Sequence, residues 1–233
     1  RAFTMPSTFK STIEEWYDPL IATLKTTTGI PSIFSPSVYR ALVLETDKYL
    51  EGKQKLLLCT ASWASPILAL QNFKHYTDIH IVDVQEPVLK TCEEVYEVLN
   101  DNDFFDKPYE LKTFCTPSEK MVGKVDNNYD KIFFCPPYFD LELYGSSDEQ
   151  STDLYKTYEE WLDGYWRGTV NAGSEVLNED GIFSFVIGAN IRGYDMGEDM
   201  LKIAEEKFTL LDTIRINPVA EPTKDANKVE KYE

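Results

Sequence analysis

From Lys55 onward the chain alternates short, continuously apolar runs with helical patterns, and this alternation constrains the fold more than any other feature. The runs are 55–60 (KLLLCT), 78–84 (DIHIVDV), 109–115 (YELKTFC), 129–135 (YDKIFFC) and Ile182 to Ile187. Apolar residues follow one another in them rather than alternating with polar ones, as in strands covered on both faces of a parallel sheet. Helical patterns start at Pro66 and Pro87 and cover 158–177, with a polar turn at Asn178-Glu179-Asp180-Gly181. A helix near 196–207 and a last strand near 208–216 complete the pattern. Two further helices, 11–27 and 36–51, precede the sheet, the second with Ser35 as N-cap, Pro36 at the first helical position and Gly52 past its end. The expectation is an α/β fold with a mostly parallel, seven-strand-like central sheet and helices on both faces. Its strand order should switch at the strand ending in Thr60. Residues 1–52 read as a helical segment packing on the core, 53–217 as the main domain and 218–233 as a polar, mobile tail.

Composition narrows the function. At 233 residues, 42% hydrophobic, the chain suits one well-packed domain. Lys and Arg total 23 against 40 Asp and Glu, a formal charge of -17, so phosphates repel it and any nucleic-acid role must overcome that field. No apolar run approaches the ~20 residues of a membrane span. The first residues, Arg1-Ala2-Phe3-Thr4-Met5, read neither as a signal peptide nor as an initiator start, which suits a piece of a longer chain. Cys59, Cys92, Cys115 and Cys135 lie far apart and the only histidines are His75 and His80, so neither a zinc site nor a disulfide scaffold is indicated. An intracellular, reducing compartment fits best.

In an open parallel sheet, ligands bind outside the carboxyl ends of the strands at the switch point, which singles out the loops after Thr60, Val84, Cys115 and Cys135. The first reads Ala61-Ser62-Trp63-Ala64-Ser65 and contains no glycine, although a tight cofactor turn would normally use one for positive φ and close approach. Asp83 closes the run IHIVD, where a carboxylate can accept both hydroxyl hydrogens of a ribose; strand-end acids serve equally as caps or loop charges. Cys135-Pro136-Pro137-Tyr138 holds its flanking groups in fixed orientation, and Tyr138 with Phe139 could stack on a planar base. The same residues read as a Pro-Pro strand terminator followed by core aromatics. Tyr158, Trp161, Leu162, Tyr165 and Trp166 fall at helical spacing and read as packing, and Asp148-Glu149 as solvated surface.

Taken together, these segments resemble the class I S-adenosylmethionine-dependent methyltransferases, and among them the DNA amino-methyltransferases with a (D/N/S)-P-P-(Y/F) motif, the phage and large-virus DNA methylases above all. The match runs through Phe134-Cys135-Pro136-Pro137-Tyr138-Phe139-Asp140-Leu141-Glu142-Leu143-Tyr144, Gln150-Ser151, Tyr158-Glu159-Glu160-Trp161 and Val176-Leu177-Asn178-Glu179-Asp180-Gly181, with Thr116-Pro117-Ser118-Glu119 upstream. It spans about 55 to 216. The resemblance implies a Rossmann-like class I methyltransferase fold. It further implies a catalytic set of Cys135, Pro136, Pro137, Tyr138 and Phe139, and S-adenosylmethionine held by Thr60, Ala61, Ser62, Trp63, Asp83, Val84 and Thr116.

Two departures shape the functional expectation. The family's cofactor loop reads approximately D-P-T-A-G-W-G-G-R, whereas Leu58-Cys59-Thr60-Ala61-Ser62-Trp63-Ala64-Ser65-Pro66 keeps Thr60, Ala61 and Trp63 but none of the glycines and not the leading acid. Cys135 stands where the family places an Asp, Asn or Ser oxygen, and a thiol is a weak acceptor. The expected function is therefore a degenerate methyltransferase-like protein, a binding or structural subunit of a larger, viral or virion-associated assembly. The alternative is an active enzyme methylating an exocyclic amino group of adenine or cytosine in DNA. With no room for a target-recognition segment, DNA contact would need a partner or a missing segment; a protein partner is expected and a membrane is not.

Overall fold

The computed structural model describes residues 35–52, 54–71, 73–101, 109–139, 150–188 and 193–214. The helix expected at 11–27, the pair Asp148-Glu149 and the tail 218–233 lie outside the described residues. Helix α1 (Pro36–Asp47) starts with proline in its first turn, and Gly52 beyond its end takes φ +76. Strand β1 (Gln54–Leu58) leads through a tight turn (Ser62–Ala64) into α2 (Ser65–Leu70). Then come β2 (Tyr76–Asp83), α3 (Glu86–Asn100), β3 (Glu110–Cys115), a short turn (Ser118–Lys120) and β4 (Tyr129–Phe134). Helix α4 (Ser151–Leu154) precedes a helical run made of α5 (Tyr158–Glu160), a π turn (Trp161–Trp166) and α6 (Arg167–Val176). Strand β5 (Leu177–Phe185) and α7 (Met196–Ala204) complete the described elements.

The five strands lie in the order β3-β2-β1-β4-β5, and every neighbouring pair is parallel. The order reverses at β1, the expected switch strand. Successive residues point to opposite faces: Leu57, Ile132 and Phe134 join the core under α5, α6 and α7, while Leu56, Leu58 and Phe133 join the core under α1, α2 and α3. With both faces covered, continuous apolar strands are what the sheet requires. The architecture is a Rossmann-like, doubly wound α/β fold, as the sequence leads one to expect.

Two local expectations are corrected. Asn178 to Gly181 do not form a separate turn but lie within β5, where the register jumps from Tyr129↔Leu177 to Lys131↔Ile182. The extra residues make a bulge, anchored by Asn178 Nδ2 donating to Asp130 Oδ1 at 2.7 Å. Residues 208–214 form no strand, so the described sheet has five strands rather than seven. Phe208 instead stacks on Phe183 at 4.8 Å, and Asp212 accepts from Tyr49 Oη at 3.1 Å. Side-chain contacts hold this segment, and no backbone ladder forms.

Candidate functional site

The loop after β1 is built by its neighbours. Ser62, Trp63 and Ala64 all take left-handed φ, at 44, 55 and 61. For residues with a Cβ this costs about 1–2 kcal/mol each, so other contacts must impose it. Ala61 and Ala64 are buried, Ala64 N–H donates to Ala61 O at 3.1 Å, and Cys92 Sγ lies 3.9 Å from Ala61 O. The loop thus follows a glycine-type path without glycine.

Asp83, the last residue of β2, is the anchor. Its Oδ2 accepts from Ala61 N–H at 2.9 Å and its Oδ1 from Gln85 N–H at 2.9 Å. Burial pushes the carboxyl above its ordinary value, opposed by backbone hydrogen bonds from Ala61, Gln85 and Val84. The carboxylate is the clamp between the first and second strand-end loops, as the loop-charge reading anticipates. It also faces the cavity.

From β4, Cys135 to Tyr138 form the opposite wall. Thr60 Oγ1 donates to Cys135 O at 3.3 Å and lies 3.2 Å from Ser62 Oγ, joining the two walls. Burial pushes the Cys135 thiol up to about 12, so it is neutral at pH 7. Phe139 leaves the site: it is 8% exposed and packs at 5.8 Å from Tyr158 and 6.2 Å from Trp161. It belongs to the aromatic core and offers no stacking face to a base.

These loops enclose a cavity of about 270 Å³ at the switch point. Of the residues expected to hold a cofactor, Thr60, Ser62, Trp63, Asp83, Val84 and Thr116 line it. Ala61 does not, because its side chain is turned into the core under α2 and α3. Cys135, Pro136, Pro137 and Tyr138 line it as well. Sequence reasoning missed Glu119, Gln150, Ser151 and Tyr165, which also form its wall. Tyr165, read as packing, does pack in the core beside Trp161, and from its place in a π turn, a geometry frequent at functional sites, it also borders the cavity. Gly164 in the same turn was the available signal, since a Cβ there would clash with the Tyr155 ring. Tyr155 Oη in turn donates to Glu119 Oε1 at 3.3 Å.

No known family model matches the chain, and no curated protein matches it. Similar solved structures include a methyltransferase from Pyrococcus furiosus, 16% identical over 83% of this chain and 85% of that one, with a TM-score of 0.48. An S-adenosylmethionine-dependent methyltransferase from Clostridium acetobutylicum is 13% identical over 73% of this chain, at a TM-score of 0.44, and the chain spans only 56% of that structure. A third, from Agrobacterium tumefaciens, is 16% identical over 71% of this chain and 49% of that one, at a TM-score of 0.45. The fold assignment rests on strand order and register, not on these likenesses.

Proposed function

We propose that the chain is a degenerate DNA amino-methyltransferase-like protein: its crevice takes the adenosyl part of S-adenosylmethionine, and its role is that of a binding or structural subunit in a larger, viral assembly. The observation that carries this reading is the head of the Pro-Pro motif. Cys135 presents a half-buried, protonated thiol where the resemblance calls for an oxygen that accepts a hydrogen bond from the target amino group.

The residues fit the adenosyl group in kind. Asp83 keeps further lone pairs beyond its two backbone bonds and lies beside Val84, Gln85 and Val88 on the cavity wall, a carboxylate for ribose hydroxyls next to an apolar surface. When bound, S-adenosylmethionine supplies an activated methyl group on a positively charged sulfur. The chain's own part is positioning: Asp83 orients hydroxyls, Tyr138 offers a face to a planar base, and the wall from Cys135 to Pro137 fixes the distance between them. A neutral thiol neither holds the amino group as firmly as a carboxylate or amide oxygen nor takes its proton.

The test pairs calorimetric titration with S-adenosylmethionine and a radiolabelled methyl-transfer assay on DNA. The degenerate reading expects binding without transfer, and transfer rising in Cys135→Asn. A second reading, an active enzyme on adenine or cytosine amino groups, draws on Pro136, Pro137 and Tyr138 sharing one cavity with Asp83. Multiple turnovers by the purified chain would establish it in place of the first.

The -17 charge supports a protein partner with a basic surface, with DNA contact supplied by that partner. A gel shift and a pull-down across a salt series test this: tight, salt-sensitive binding of the purified chain to duplex DNA would overturn it. Four dispersed cysteines, all free, suit the reducing compartment proposed for the assembly.

A further inference from the structure

The two edges of the described sheet are built differently. β3, at one edge, carries the exposed charges of Glu110 and Lys112, a usual guard against unwanted strand pairing. β5, at the other, has no charged residue from Gly181 to Phe185, and each residue of that stretch is half-buried. Val186 N–H, just past the strand, donates to Phe134 O at 3.0 Å, so its backbone faces β4. Backbone groups alternate in direction along a strand, which turns the N–H and C=O of Phe183 and Phe185 away from β4. Among the described residues no strand lies on that side. Residues 208–214 do not close the edge. Phe208 stacks on Phe183 on one face of the sheet, and Asp212 accepts from Tyr49 and, at 3.4 Å, from Lys48, just past α1 on the other. Between these anchors Leu210 and Leu211 are 46% and 60% exposed. Charge here has one sign: Glu179 and Asp180 in β5 are exposed, and neither 177–185 nor 208–214 contains a Lys or Arg.

We infer that the outer edge of β5 is an interaction surface that takes an extended segment of a basic partner protein as a further strand of the sheet. The backbones of Phe183 and Phe185 supply the pairing groups, and Leu210 and Leu211, shortly beyond the Phe208–Phe183 stack, supply apolar cover. Glu179 and Asp180 set the choice of occupant. A second copy of this chain, at -17, is repelled, whereas a segment alternating apolar with Lys or Arg residues is drawn in. The inference gives the basic partner proposed for this chain a place to bind, and rests on that proposal.

The experiment follows amide hydrogen exchange by NMR in the whole chain, alone and with a synthetic peptide of alternating valine and lysine as long as β5; a valine and glutamate peptide is the control. In the chain alone, the Phe183 and Phe185 amides should exchange at least about tenfold faster than those of Ser184 and Val186, which face β4. The lysine peptide should slow them by about tenfold or more, and less as salt rises, while the glutamate peptide should leave them unchanged. In the double variant Glu179→Lys, Asp180→Lys, affinity for the lysine peptide should fall by about fivefold or more, with melting temperature measured alongside to show that it is folded. Phe183 and Phe185 amides already protected in the chain alone, by its own residues or by a dimer seen in sedimentation, would overturn the inference. Lysine-peptide binding that leaves both amides unprotected would also overturn it, while the basic partner would stand. No binding of the lysine peptide, or unchanged affinity in the folded variant, would overturn it as well. Equal binding of the two peptides would overturn the basic partner and the inference with it.

Discussion

Asp83 Oδ2 accepts the Ala61 N–H at 2.9 Å, so the end of one strand sets the backbone path of the loop leaving its neighbour. Removing the carboxylate deprives two buried or half-buried N–H groups, on Ala61 and Gln85, of a charge-assisted partner. Asp83→Ala should therefore lower stability by about 1.5–3 kcal/mol in urea titration. Asp83→Asn, which keeps one acceptor oxygen, should lose less. Equal losses would mean that the side chain acts only through packing.

The left-handed run Ser62-Trp63-Ala64 makes an unusual forecast for glycine. Elsewhere a glycine substitution costs about 0.5–1 kcal/mol in backbone entropy. Here relief of a strain of about 1–2 kcal/mol per residue should outweigh that cost, so Ser62→Gly and Ala64→Gly should each leave the protein unchanged or more stable by up to about 1 kcal/mol. Clear destabilisation in denaturant midpoints would contradict the left-handed path.

Lys131, fully buried in β4, reaches across to α1: its Nζ donates to Asp47 Oδ1 at 2.5 Å and to Val43 O at 2.7 Å. Tyr76 Oη donates to the same Asp47 oxygen at 2.7 Å. Asp47→Ala leaves a buried ammonium without its counter-charge and should cost about 3–5 kcal/mol, whereas Lys131→Met should stay within about 1 kcal/mol of the parent. Burial lowers the ammonium from its ordinary 10.5 to about 8, against the pull of Asp47. Between those values the unfolded chain binds the extra proton, so Lys131 makes stability rise with pH over that window. Melting temperatures from pH 7.5 to 10.5, compared with Lys131→Met, isolate this contribution.

His80 acts with the same sign in acid. It is fully buried, its Nδ1 lies 2.7 Å from Tyr129 Oη, and burial lowers its pKa from 6.5 to about 4. The folded state holds it neutral while the unfolded chain protonates it, so its contribution to stability is present above 6.5 and is lost as pH falls toward 4. His80→Gln should flatten the acid limb of the stability curve between those limits. An unaltered limb would place the acid sensitivity elsewhere.

Gly173 on α6 packs directly over the sheet, where a Cβ would meet the Phe183 ring at 2.7 Å and Ile132 Cδ1 at 3.3 Å. Gly173→Ala should destabilise by about 1–3 kcal/mol through overpacking, despite alanine's better helix propensity. A gain in denaturant midpoint would mean that this helix sits further from the sheet.

The order of elements, the parallel sheet and the position of the crevice were legible in the sequence because they follow from local pattern. Continuous apolar runs such as KLLL and KIFF need cover on both faces, and intervening helices supply it. Asp83 and Cys135 could be placed at strand ends for the same reason. What the side chains do there was decided by contacts distant in the chain. The left-handed loop depends on a carboxylate 22 residues away. Phe139, adjacent in sequence to the cavity-lining Tyr138, is drawn into the core by Tyr158 and Trp161. Tyr165 borders the cavity as well as the core, from within a π turn that no local periodicity announces. Backbone pattern is a short-range property, readable over a few residues; the direction and charge state of a side chain at a strand end depend on which other strand ends the fold brings beside it.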